Sequence, residues 1–403
     1  MTTGGDGEGK RPFTVFLIAG EESGDQLGAG LMRALSERTE GDIRFVGVGG
    51  KRMSSLGLQS LYPMHDIGLH GIAAIIPKLA QLVQRRQQTV RAVLSEQPDV
   101  LITIDCPSFN LGVARRVRNI DPTIANIHYV LPSVWAYRPG RAKKMAGFID
   151  HVLAILPFEP AVSRELAGPP CTYVGHLLIE RVDLFRPKSG ERLAIGDTRQ
   201  PVLLVLPGSR RSEIRRLLEP FGSTVSRVAE ALDRPLEVIL PAVEHHLEEI
   251  RSGVSKWRIQ PKIVVGESEK FRAFRRAHAA LAASGTVTLE LALAGVPMVV
   301  AYRIDLLFQW IRFIVRGDTI VLANLVVGEK VVPEFIDWQS TPTNMAEALG
   351  PLLTESPARR RQLDAFKKLD SLMALDGTTP SARAAEIVLD AVERRQRRLV
   401  IGT

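Results

Sequence analysis

The chain has 403 residues, 45% of them hydrophobic and 24% charged, and its 52 Lys and Arg against 44 Asp and Glu leave a formal net charge of +8. That size and apolar content allow a sizeable core split between two domains and exclude a disordered or fibrous chain. The positive balance suits an acidic partner: nucleic acid, an anionic membrane surface or a phosphorylated substrate.

Aromatic residues are only 6% of the chain and do not interleave with the arginine pairs, so stacking on bases is poorly supported and nucleic acid is the weakest of the three. Two cysteines occur, Cys106 and Cys171, with no CxxC spacing and no His/Cys cluster. Neither a disulfide scaffold nor a zinc site is suggested, and a reducing cytoplasm fits. Residues 1–10 read as a flexible tail without an apolar h-region, and no run reaches the roughly 18 apolar residues of a spanning helix. No signal peptide and no transmembrane segment are expected, so membrane contact would be peripheral.

Taken in order, Phe13 to Ala19 is an apolar run that predicts a buried strand. It enters a turn, Gly20-Glu-Glu-Ser-Gly-Asp25, and a helix over 26–35 in which Gly28 and Gly30 permit close approach of a neighbouring backbone or a ligand. The plain alternative is a tight turn in a doubly wound sheet. A strand over 43–48 follows. Within 65–93, Leu69, Ile72, Ile75, Ile76, Leu79, Leu82 and Val83 recur at helical spacing, interrupted by Gly71 and Pro77 and flanked by Lys78, Arg85 and Arg86. Such a stripe receives acyl chains, lies on an anionic leaflet, or is simply the core face of a helix pair.

The strand over 99–105 delivers Asp105 to its carboxyl end, where a carboxylate is a candidate general base or, equally, the cap of the next helix. Cys106 reads as a small buried residue rather than a nucleophile. After a strand over 124–130, Trp135 and Tyr137 form a candidate sugar or acyl platform with Arg138, Arg141 and Lys143 facing a phosphate; the alternative is a packed loop beside a solvated basic helix. The rhythm continues to Gly175-His176, where a lone His is expected to be structural.

Residues 186–200 are polar and breaker-rich and read as an interdomain linker. The pattern then restarts: the strand over 202–206 runs into Pro207-Gly-Ser-Arg210, where Arg210 can lean toward a phosphate and Ser212-Glu213 can cap the helix. Strands near 236–240 and 259–265 lead to 281–301, which reads as a strand end, a Ser284-Gly285-Thr286 turn, a small-residue helix, and a second buried strand after Gly295 and Pro297. Unpaired N–H groups at such a turn suit an anion, most simply a diphosphate, and Glu290 one turn on can accept hydrogen bonds from a ribose. The alternative is an ordinary strand-turn-helix unit with a solvated Glu. The apolar 306–316 segment with its two arginines touches a monolayer or serves as a core helix. Asn324 is placed in a loop, and from about 343 the chain turns helical and charged; its closing basic run over 393–398 is a solvated face or approaches anionic lipid.

Six motifs, in order and spacing, carry a likeness: Gly20-Glu-Glu-Ser-Gly-Asp25, Ile104-Asp-Cys-Pro-Ser-Phe-Asn110, Pro132-Ser-Val-Trp-Ala-Tyr137, Leu206-Pro-Gly-Ser-Arg210, Ala283-Ser-Gly-Thr286 with Leu289-Glu290, and Asn324-Leu325. From about residue 13 to about 390 the chain resembles the lipid-A-disaccharide synthase family. The resemblance implies an α/β protein of GT-B type, with two Rossmann-like doubly wound domains facing across a cleft. The first, 11–185, would take the lipid acceptor; the second, 201–345, the nucleotide sugar; C-terminal helices over 346–403 would pack back toward the first. It implies an inverting transfer from UDP-2,3-diacylglucosamine to 2,3-diacylglucosamine 1-phosphate (lipid X), giving the β-1,6-linked disaccharide 1-phosphate and UDP in lipid A biosynthesis.

By the same resemblance Asp105 would be the essential acid or base, and Arg210, Ser284, Gly285, Thr286, Leu289, Glu290 and Asn324 would hold the nucleotide sugar. Ser23, Gly24, Asp25, Trp135 and Arg138 are candidates on the acceptor side. No cofactor and no metal are expected, because the turn amides and Arg210 can carry the leaving diphosphate and no DxD-type pair is positioned for an ion. The expected setting is the cytoplasmic face of the inner membrane, with a homodimer possible and no nucleic-acid partner. The chain departs from the family's common pattern at Ala74, where the family has Glu, at Leu177 and Ala323 in place of Pro, and at Glu22 in place of Ala. Alternative readings are a UDP-sugar epimerase, a related transferase on another lipid-linked acceptor, or a non-enzymatic basic binding protein.

Overall fold

The computed structural model describes residues 11–68, 79–303 and 319–401, with side chains to 397. The tail over 1–10, the part of the apolar stripe over 69–78 that includes Ala74, the 306–316 segment and the Arg398 side chain lie outside what is described. The chain divides into two compact units, one comprising the residues up to Leu177 together with those from Leu375 on, the other Leu178–Ala374.

The first unit is built on a parallel sheet of β1 (Phe13–Ala19), β2 (Ile43–Val48), β3 (Gln59–Ser60), β4 (Val100–Ile104), β5 (Ala125–Tyr129), β6 (His151–Ala154) and β7 (Cys171–Tyr173), in the order β3-β2-β1-β4-β5-β6-β7. β1 aligns with β4 from Val15 opposite Val100 to Ala19 opposite Ile104. Both strands are buried along almost their whole length, the mark of a parallel sheet covered on both faces. Alternate residues divide between two cores. Val15, Leu17, Ala19, Ile102 and Ile104 meet the helices Glu22–Arg38 and Pro380–Ile401. Phe16, Ile18 and Leu101 meet the helices Leu79–Glu96 and Pro107–Ile120.

The second unit repeats the plan. β8 (Val202–Leu206), β9 (Glu237–Ala242), β10 (Lys262–Val265), β11 (Ala279–Ala283), β12 (Met298–Tyr302) and β13 (Glu334–Ile336) order as β10-β9-β8-β11-β12-β13. Both sheets therefore follow the 3-2-1-4-5-6 winding of doubly wound nucleotide-binding folds.

Two segments fall differently from the linker and C-terminal assignments read from the sequence. Residues 186–200 lie within the second unit, pinned by Arg192, whose guanidinium donates to the carbonyls of Phe274 (2.7 Å), Arg275 (3.2 Å), Ala294 (3.0 Å) and Gly295 (2.7 Å). Polar composition misleads there because the arginine satisfies main-chain acceptors that would otherwise need water. The C-terminal helices part company: Pro342–Leu349 and Pro357–Leu372 belong to the second unit, and only Pro380–Ile401 packs on the first. Gly30 is what lets that last helix cross Glu22–Arg38 closely, since a Cβ there would stand 2.6 Å from Ser381 Oγ.

Candidate active site

In a doubly wound sheet, ligands bind outside the carboxyl ends of the strands where the strand order reverses. In the first unit that point lies between β1 and β4. Backbone strain gathers beside it: Asp105 (φ 49°) and Cys106 (φ 44°) adopt left-handed conformations, as do Val130 (φ 78°) and Arg138 (φ 54°) beyond β5. The left-handed region costs an L residue about 1–2 kcal/mol and is least natural for a β-branched valine, so the surroundings must enforce it, as they do at functional sites. Buried Asn110 does much of the enforcing, its amide donating to the carbonyls of Ile104 at 2.9 Å and Asp105 at 2.8 Å. The Asp105 N–H donates to Tyr129 at 2.9 Å. Cys106 occupies the N-cap position of Pro107–Ile120, so half-buried Asp105 stands one residue ahead of the cap, at the strand end. The Cys106 thiol lies 3.5 Å from the Glu21 carboxylate. Burial first, then the charges of Glu21 and Asp105, push its pKa up, which keeps the thiol protonated and a poor nucleophile.

The other first-unit candidates separate. Ser23 is exposed, and Gly24 is buried against Ala19. Asp25 needs correction as an acceptor-side residue: its carboxylate is buried and takes the N–H groups of Gly50 (2.8 Å), Arg52 (2.9 Å) and Met53 (3.1 Å). It closes the turn after β2, and a carboxylate so occupied has little left for a substrate. Gly28 and Gly30 face Met53 and Ser381 rather than a ligand. Trp135 meets Phe158 edge to face, with ring centroids 5.1 Å apart. The Arg138 guanidinium lies 4.9 Å over the Tyr137 ring.

In the second unit the reversal lies between β8 and β11. Just past β8, Gly208 takes φ 109°, and a Cβ there would come within 2.4 Å of a Glu213 carboxylate oxygen, so only glycine fits. Glu213 accepts from the N–H groups of Ser209 (3.2 Å) and Arg210 (3.3 Å) and from the Arg210 guanidinium (3.0 Å). It caps the helix as the sequence suggests and also aims Arg210, whose side chain is 55% exposed.

Past β11, Ser284 donates its hydroxyl to Ile320 at 3.0 Å. Gly285 and Thr286 are exposed, and nothing lies within 4 Å of a Cβ built on Gly285. The N–H groups of Gly285, Thr286 and Val287 find no acceptor among the described residues. Glu290 sits one turn further, largely buried, with one carboxylate oxygen 2.8 Å from Lys270 Nζ. Sequence reasoning missed Lys270, which comes from the helix Glu267–Arg276; nothing local to either residue announces the pair.

Two nucleotide candidates are turned into the protein. Leu289 is fully buried in the core. Asn324 lies in the helix Leu322–Val327 rather than in a loop, and it is 2% exposed. Its oxygen accepts from Val331 (3.1 Å) and Val332 (2.9 Å), and its nitrogen donates to Thr319 (3.2 Å) and Val332 (3.0 Å). With its hydrogen-bonding capacity satisfied by the protein, Asn324 holds the 324–332 segment and has nothing spare for a nucleotide.

The family model for Lipid-A-disaccharide synthetase matches residues 15–388. The chain belongs to the lipid-A-disaccharide synthase family. It is 52% identical over 379 residues to the lipid-A-disaccharide synthase of Nitrobacter hamburgensis, covering 94% of this chain and 95% of that one. It is 51% identical over 385 residues to the enzyme of the same name from Rhodopseudomonas palustris, covering 95% and 98%. Among solved structures, MnaA of S. aureus with UDP superposes with TM-score 0.59 at 13% identity, covering 95% and 97% of the two chains. MurG of Acinetobacter baumannii gives 0.57 at 13%, covering 95% and 100%. At that identity the likeness is one of fold, and the fold is the GT-B class that the motifs imply. This lipid-A-disaccharide synthase family member is therefore a glycosyltransferase, and the epimerase and binding-protein alternatives fall away.

Proposed function

We propose that the chain transfers diacylglucosamine with inversion from UDP-2,3-diacylglucosamine to the 6-hydroxyl of 2,3-diacylglucosamine 1-phosphate, releasing UDP and the β-1,6-linked disaccharide 1-phosphate. The reaction asks for a base to take the hydroxyl proton and for electrostatic support of the departing diphosphate. Asp105 is the base. Its support is the strained strand end, where Asn110 and Tyr129 fix the main chain on both sides of a half-buried carboxylate. The hydroxyl oxygen attacks the donor's anomeric carbon as its proton passes to Asp105, and the sugar–phosphate bond breaks with its electron pair leaving on UDP. Arg210 and the N–H groups of Gly285, Thr286 and Val287 receive that negative charge. Ser284 holds the turn, and the second oxygen of Glu290 accepts from the ribose.

The acceptor and donor carry acyl chains, and the enzyme works at the cytoplasmic face of the inner membrane. Among the described residues no helix is long and apolar enough to cross a bilayer. Leu79 and Val83 are 57% and 41% exposed on Leu79–Glu96, with Arg86 on the same helical stripe and Arg115 and Arg116 near it. Apolar side chains edged by cations fit a peripheral contact with anionic lipid.

Purified protein incubated with UDP-diacylglucosamine and lipid X is expected to yield the disaccharide 1-phosphate, read by mass spectrometry. UDP release without disaccharide, or no reaction of the pair, would reject this reading.

A further inference from the structure

The loop beyond β5 and the short helix Gly140–Met145 that follows it hold two cations that the rest of the site does not use. Arg138 and Arg141 belong to one turn, closed by the Arg141 N–H donating to the Arg138 carbonyl at 2.9 Å. Among the described residues neither forms an ion pair with a carboxylate. Arg141 is half-buried, and burial, with Arg138 beside it, makes its charge harder to hold. A guanidinium kept in such a place without a counter-ion favours an anion.

A second observation points the same way. His128, on β5 opposite Thr103 on β4, is fully buried, and its Nε2 has no hydrogen-bond partner among the described residues. Its Nδ1 lies 2.7 Å from the Thr103 hydroxyl, which itself donates to Ile127. With the hydroxyl donating to Ile127, its oxygen is free to accept a hydrogen bond from Nδ1–H, the tautomer in which Nε2 is the acceptor. Burial first, then Arg141, holds the ring neutral, with a pKa lowered to about 3. The Arg141 charge is felt at this buried ring, whose Nε2 is left without a partner among the described residues. The backbone beside these residues is strained at Val130 and Arg138, and Arg138 is further steered by the Tyr137 ring.

We propose that Arg138 and Arg141, with neutral His128 as the positioning residue behind Arg141, form a phosphomonoester subsite that receives the 1-phosphate of the acylated glucosamine acceptor. The inference rests on the acceptor assignment made under the proposed function. It gives the first unit its own grip on the acceptor, separate from the base.

The test compares two acceptors, lipid X and the same molecule without its 1-phosphate, with wild type, Arg141→Ala, Arg141→Lys and Arg138→Ala. Charge-assisted contacts of this kind correspond to about tenfold to a hundredfold in affinity. Arg141→Ala is expected to raise KM for lipid X by that factor, with the donor KM within about twofold and no further loss on the dephosphorylated acceptor. Arg141→Lys should recover part of the loss. Arg138→Ala, at an exposed position that does not threaten the fold, should give a smaller rise of the same kind. An equal loss on both acceptors, a shift in donor KM instead, or unchanged KM in both alanine variants would overturn the subsite. Calorimetric titration with lipid X alone separates the two proposals. Arg141-dependent binding without turnover by wild type would keep the subsite and reject the transferase reading, whereas turnover with Arg141-independent binding would do the reverse.

Discussion

The reversal points of the two sheets share strand order and differ in what the chain does one residue later. Past β4 the backbone is forced left-handed at two consecutive non-glycine residues, and Asn110 clamps it there. Past β11 it relaxes into an open turn, with a glycine whose added Cβ would meet nothing within 4 Å and three N–H groups that find no acceptor among the described residues. A base must hold one lone pair in one direction, which calls for enforcement by neighbours. An anion receptor must leave donors unspent, which calls for the absence of neighbours. In the proposed reaction the same winding is put to two different tasks.

The largest expected effect is at the enforced end. Asp105→Asn keeps the shape and removes the base, and turnover should fall by about 10²–10⁴; steady-state disaccharide formation checks it, and near-normal turnover would remove Asp105 from the reaction. At the open end, Arg210→Ala should weaken UDP binding and lower kcat/KM together by about tenfold to a hundredfold, measured by calorimetry and initial rates. Unchanged UDP affinity would sink that assignment.

Two glycines sharpen the contrast. Gly285→Ala has open space around it and should melt within a degree or two of wild type while losing UDP affinity, because any ligand on the turn meets the new methyl. Gly208→Ala must displace Glu213 and adopt a positive φ, so its thermal midpoint should drop by several degrees, in line with about 1–3 kcal/mol of strain. If Gly285→Ala binds UDP normally, the diphosphate does not lie on that turn.

Much of this was readable in the sequence because it is local. Apolar runs ending in Gly, Ser or Asp mark strand ends, and the fold sets Asp105, Arg210 and Ser284 to Thr286 just beyond β4, β8 and β11 as that reading expects. What was missed is what distant segments do to a local signal. Asp25 looks like part of a ligand loop until the amides of 50–53 fold onto it. Asn324 looks like a loop polar residue until Val331 and Val332 return to it. Lys270 pairs with Glu290 across twenty residues, and His128 acquires meaning only opposite Thr103. Backbone strain has no sequence signature at Val130, since the residue type argues against it.

The smallest effects concern pH and again divide the units. His128 (pKa about 3), His151 and His176 (each about 4) in the first unit and His278 (about 4) in the second are all lowered by burial from 6.5. Below about pH 6.5 the unfolded chain binds protons that the native one refuses. Their contribution is therefore complete above 6.5 and is lost as pH falls toward 4. Glu159 in the first unit, raised by burial to about 8, works in the opposite sense: its contribution is complete below about 4.5 and is lost as pH rises through 8. Three of the five histidines with a lowered pKa lie in the first unit, against His278 and the shallowly placed His246 in the second, and Glu159 offsets about one of the three; between pH 6.5 and 4 the first sheet should open slightly before the second, read as faster amide exchange in β1 and β4 than in β8 and β11. Equal acceleration in both sheets would contradict this.

The most direct test of the division of labour is to measure kcat and the UDP dissociation constant on the same preparations of Asp105→Asn and Arg210→Ala. The expected result is a split: Asp105→Asn loses at least a hundredfold in kcat with UDP affinity within about twofold of wild type, while Arg210→Ala loses both in step. If UDP affinity fell in Asp105→Asn as far as turnover did, the carboxylate would be holding the nucleotide rather than activating the acceptor, and the account would be wrong.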